Sequence, residues 1–68
     1  MLSEQKLRKI ARWLRDACTD AGQIADALDP ARDHSQYSAI VTRMDSIARI
    51  TNETACIVDV LIQNAETR

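Results

Sequence analysis

The strongest constraint in the chain is the spacing of its apolar residues between positions 37 and 65. Tyr37, Ile40/Val41, Met44, Ile47/Ala48, Val58, Leu61/Ile62 and Ala65 return every three to four positions, which is the period of one side of an α-helix. Beyond Ala55 the pattern widens, because Ile50, Ile57 and Val60 point away from that stripe. A helix with two apolar sides needs more than one neighbour. This stretch therefore predicts a long helix that packs on another helix and still has apolar surface left to cover.

The first half of the chain supplies the other helix. Leu7, Ile10/Ala11, Leu14, Ala17/Cys18, Ala21, Ile24/Ala25 and Leu28 recur close to every 3.5 residues, the period of left-handed coiled packing. Ser3 is a good N-cap, and Leu2 with Leu7 has the form of a hydrophobic staple. Ala11, Ala17, Cys18, Ala21, Gly22 and Ala25 make much of the stripe small, which predicts a close approach of the two axes. Gly22 costs about 1 kcal/mol relative to alanine inside a helix, unless close packing there compensates. Pro30 cannot continue the first helix but suits the first position of the next, with Asp29 as its cap. Asp33-x-x-Gln36 offers a second start with the form of a capping box.

The expected layout is a single all-α domain over residues 1–68. Helix 1 spans about 4–28, a turn falls within about 29–35, and helix 2 spans about 36–64. So short a turn makes the pair an antiparallel hairpin. Leu28 then lies near Tyr37, Ala21 near Met44, Leu14 near Thr51 and Leu7 near Val58. One glycine, one proline and 3% aromatic residues suit helices rather than sheets. Sixty-eight residues bury a modest core and usually need a staple or a partner. The simplest closed solution is a homodimeric four-helix bundle, with Ile50, Ile57, Val60 and Leu61 at the dimer interface.

Cys18 and Cys56 are not expected to bridge within one chain. Cys18 falls at the level of Ile47, about 13 Å along the helix from Cys56, and disulfides need Cα atoms within about 7 Å. They read as free, packing thiols; Cys56 faces outward, which leaves a bridge between subunits as a lesser route. No apolar run approaches the roughly 20 residues of a membrane span, and no apolar signal core follows the N-terminal charges. A cytoplasmic location is expected.

Catalytic groups are scarce. The single histidine, His34, falls in the turn, where a turn or capping role is expected of it. Two distant cysteines and one histidine lack metal-ligand spacing, and no glycine-rich phosphate loop is present. The chain reads as non-enzymatic, with neither cofactor nor metal.

Charge is unevenly spread although the net charge is −1. Lys6, Arg8, Lys9, Arg12 and Arg15 against Glu4 give residues 1–15 a net +4, while five aspartates against Arg32 give residues 16–36 a net −4. Arg8, Arg12 and Arg15 share one outward side of helix 1. They make either a solvated face with i,i+4 partners such as Arg12–Asp16, or a docking surface for an acidic protein or RNA. Trp13 lies at the edge of the stripe beside Lys9, Arg12 and Asp16. It is either a binding hot spot or a cover over the dimer seam. Tyr37 is expected to pack at the hairpin tip. Thr51 and Thr54 interrupt the stripe of helix 2 at core-facing positions, where threonine bonds back to the preceding turn and a polar layer sets register. The sequon Asn52-Glu53-Thr54, inside a helix, is read as chance.

Two resemblances follow from this layout. The plan of Ser3–Leu28, Asp29-Pro30 and Gln36–Asn64, with its alanine-rich first stripe and charged outer side, resembles the Rop-like plasmid copy-number repressors. That likeness implies a dimeric hairpin that binds paired RNA loops; the acidic second half of helix 1 departs from it. In length and layout the whole chain also resembles small phage-encoded two-helix anti-activator and host-takeover proteins. That likeness implies a dimer that binds and blocks a host regulatory protein such as a transcriptional regulator. The leading expectation is such an inhibitor, with Lys9, Arg12, Trp13 and Arg15 contacting the partner and no membrane involved. A Rop-like RNA-binding repressor is the alternative, and a ligand- or nucleotide-sequestering oligomer with a pocket near Thr51 and Thr54 is a third.

Overall fold

The computed structural model describes residues 2–66. Two helices, α1 (Glu4–Leu28) and α2 (Ser35–Glu66), pack against each other as a hairpin, joined by a 3₁₀ turn, Asp29–Ala31. Ser3 caps α1 from an extended backbone, its side chain accepting the Lys6 N–H at 3.2 Å. Leu28, Asp29 and Arg32 all stay in the right-handed helical region, so the first arm keeps its handed path through Ala31 before the chain reverses.

This corrects the expected turn. Pro30 belongs to the 3₁₀ segment instead of opening α2, and Asp29 ends α1, with its carboxylate 3.2 Å from Arg32. The Ser38 N–H donates to the His34 carbonyl, so His34 opens α2 and Asp33-x-x-Gln36 stands one residue too early for a capping box. The longer first arm also shifts the pairing. Leu7, Ile10 and Leu14 surround the buried cluster of Ala11, Val58 and Ile62. Ala11 thus packs with Val58 and Ile62, at least one helical turn farther along α2 than the level of Thr54 that the simple count gives it.

The doublets of the apolar pattern divide cleanly. In α2 the second member faces α1 and the first faces outward: Val41 is 2% exposed and Ile40 40%, and Ile62 is 7% exposed and Leu61 48%. The inner stripe is Val41, Met44, Ala48, Thr51, Ala55, Val58 and Ile62, all buried or half-buried, stepping by three and four residues without a break. In α1 the inner stripe is Leu7, Ala11, Leu14, Cys18, Ala21, Ala25 and Leu28, with the same step. Tyr37, Ile40, Ile47, Leu61 and Ala65, counted in the inner stripe on spacing alone, are exposed. Ala55, absent from that count, is fully buried.

The inside of the hairpin is therefore small-sided. Four of its seven buried residues are alanine: Ala11, Ala21, Ala25 and Ala55. Gly22 is not part of that close contact, since a Cβ placed there would meet nothing within 4 Å. The shape is a rod of 52 × 15 × 13 Å with a radius of gyration of 15.4 Å, against about 11 Å for a compact domain of this length. No described helix is long and apolar enough to cross a membrane.

Candidate functional site

The two broad sides of the hairpin differ in chemistry. On one, Arg8 pairs with Glu66 and, at 2.8 Å, with Glu4, while Arg15 grips Asp59 through both guanidinium nitrogens. These contacts close the open end of the hairpin over Ala11 and Ile62, and a shallow groove lined also by Arg12 and Asp16 runs between them. The hydrogen bond from Arg15 holds the Asp59 carboxyl below its ordinary range, and Arg8 does the same for Glu4. Asp59 and Glu4 in turn raise the affinity of Arg15 and Arg8 for their protons.

The other side is apolar. Because the ion pairs mark where the same flank of each helix lies, the opposite flanks also share one side. At 100° per residue that side carries Ile10, Trp13, Ala17 and Ile24 from α1, with the exposed Asp20 between the last two. From α2 it carries Ile40, Ile47, Ile50, Thr54, Ile57 and Leu61, with the exposed Arg43 between the first two. Trp13 is 60% exposed and Ile57 63%, and Ile24, Ile40, Ile47, Ile50 and Leu61 are exposed with them. Val60, also exposed, stands at the border of this side. The outer set on α2 repeats with heptad spacing, one residue out of step with the inner set. Spacing alone had merged the two sets. The exposure of one member of each doublet separates them.

Lys9, Arg12, Trp13 and Arg15 do not converge on one patch. Arg15 is held by Asp59 on the ion-paired side, and Trp13 lies about 160° away around α1. Lys9 and Arg12 lie between them, exposed. The i,i+4 pair Arg12–Asp16 is not formed; Glu4–Arg8 and Arg49–Glu53 are the i,i+4 pairs of the described residues. Ile50, Ile57, Val60 and Leu61, the expected dimer-interface residues, all have their side chains in the open.

Two threonine hydroxyls of α2 bond back to their own helix. The Thr51 hydroxyl donates toward the Ile47 and Ala48 carbonyls at 2.7 and 3.1 Å, and the Thr54 hydroxyl to the Ile50 carbonyl at 2.7 Å. Thr51 belongs to the inner stripe, whereas Thr54, expected to face the core, falls in the outer row one residue before the buried Ala55. Tyr37 is exposed at the tip, its ring edge-on to His34 with centroids 5.9 Å apart. Cys18 is half-buried and Cys56 exposed, both as free thiols. Among the described residues no group of three or more His, Cys, Asp or Glu is placed to hold a metal ion.

The fold thus defines an all-helical hairpin with one ion-paired and one apolar side. Comparison with protein-family models, with curated proteins and with solved structures gave no match.

Proposed function

We propose that this chain is a non-enzymatic interaction protein. It pairs with itself through its apolar side into a four-helix bundle, then binds and blocks a host regulatory protein in the manner of small phage or mobile-element inhibitors. The observation that carries the reading is the bare row Ile40, Ile47, Ile50, Ile57 and Leu61, with Trp13 and Ile24 beside it. Contiguous exposed apolar surface of this kind marks an interaction face. Blocking a partner requires affinity and shape, which a chain with one histidine and no nucleophile constellation can supply.

Lys9 and Arg12 are the cations of α1 best placed for the partner, with Trp13 bordering both that surface and the self-association side. Arg15 leaves the partner set because Asp59 occupies its guanidinium. The same contacts weigh against the RNA-binding alternative, since Arg8 and Arg15 are both taken by acids of α2. The threonine hydroxyls, bonded to their own helix, weigh against a ligand pocket at Thr51 and Thr54.

The test is capture from a nuclease-treated bacterial lysate. The wild type should retain one protein in stoichiometric amount, and Lys9→Ala/Arg12→Ala should lose it while sedimenting as the wild type does. Retention that disappears on nuclease treatment moves the assignment to RNA. Equal retention by the double variant removes Lys9 and Arg12 from the surface.

A further inference from the structure

We infer that the occupant of the apolar side is a second copy of this chain lying in the opposite direction, with α2 against α2 and α1 against α1. The inference rests on the self-association proposed above and adds its geometry.

Area points to one partner of about this size. The chain exposes 5252 Å², whereas a compact monomer of 7.6 kDa exposes roughly 4,300 Å². The excess, about 1,000 Å², is close to the roughly 800 Å² that each partner buries in an ordinary stable interface.

Symmetry points to a copy. An interface on a two-fold axis must be self-complementary. The outer row of α2 is balanced about a midpoint between Ile50 and Thr51. Reversed on a second copy, Ile40 meets Leu61 at each end, Ile57 comes level with Met44, and Ile47 and Ile50 come level with Thr54 and Thr51, so apolar contacts flank a central threonine layer. The outer rows of both helices lie about 90° from their inner rows, the angle that places four helices at the corners of a square bundle.

Charge points to the direction. Two hairpins lying the same way would gather both +4 segments, residues 1–15, at one end and both −4 segments, residues 16–36, at the other. Reversal puts each +4 segment beside a −4 segment along α1, which favours both the rate and the orientation of pairing.

The test is a distance between spin labels on the full chain carrying Cys18→Ala and Cys56→Ala, with Gln63→Cys as the labelled site. Gln63 is exposed near the open end and faces away from the apolar side. Reversed hairpins put the two labels about 38 Å apart along the bundle at 1.5 Å per residue. Hairpins lying the same way put them roughly 20 Å apart, set by helix spacings of about 8–10 Å. A mixed dimer labelled at Gln36→Cys in one chain and Gln63→Cys in the other should give the short distance. A short Gln63–Gln63 distance in a sedimenting dimer overturns the direction and leaves self-association standing. A monomer with no measurable coupling overturns both.

Discussion

The inner and outer rows of α2 are alike in spacing and lie one residue apart, but they differ in bulk. One is sealed against α1 and the other is bare. Their bulk is distributed against the usual order of a small domain. The inner row includes Ala48 and Ala55, while the outer row carries four exposed isoleucines, Ile40, Ile47, Ile50 and Ile57. The hairpin is thus drawn tight by small residues, and its larger apolar side chains remain for something else. Fully burying an isoleucine or leucine is worth about 1.5–3 kcal/mol. Covering the outer row would therefore add stabilisation that the hairpin alone leaves unused.

The sharpest way to break that contrast is to charge the outer row. Ile50→Asp/Ile57→Asp places four carboxylates across a two-fold seam, where burial without partners is costly. Self-association measured by sedimentation equilibrium should weaken at least about 100-fold, or about 2.8 kcal/mol. The wild-type melting temperature should rise with protein concentration and the variant's should not. An unchanged sedimentation profile would mean that the outer row is simply solvated surface.

Next in size is overfilling the inner row. Ala55→Leu forces three extra carbons into a fully buried position, and should destabilise the hairpin by about 1–3 kcal/mol in chemical denaturation. Gly22→Ala sits in neither row. A Cβ there meets no neighbour, so the substitution should stabilise by about 1 kcal/mol through helix propensity alone.

The smallest effect belongs to the ion-paired side. Asp59 and Glu4 have lowered carboxyl pKa values in the fold, so the unfolded chain binds more protons than the folded one as the solution is acidified. Their contribution is present above the ordinary carboxylate range, near pH 4, and is lost as pH falls through the lowered values. Both sites are solvent-exposed, so the loss should be small and salt-sensitive. Asp59→Asn should flatten part of that acid-side decline in thermal melts.

Much of this fold was legible in the residues because two helical periods and one proline leave little choice. The threonine hydroxyls also follow directly from their type and position. What spacing could not show was which member of each doublet turns inward, because Ile40 and Val41 satisfy a three-to-four repeat equally well. Only the angle at which the two helices meet decides between them. The register was missed for a related reason. Asp29-Pro30 signals a break in an α-helix, yet a 3₁₀ turn accepts proline and carries the first arm onward. Trp13 at the edge of the stripe and Arg15 on the outward side were joined into one surface through Lys9 and Arg12, yet they border opposite flanks of a helix already packed along one edge.

The clasp between Arg8 and Glu66 brings the early and late parts of the chain to one end of the rod, and the reversal at residues 32–34 stands alone at the other. Joining Ser3 to Glu66 through a short flexible linker, and opening the chain at residue 33, would reorder the two helices without moving either. A circular permutant of that design should keep both rows intact.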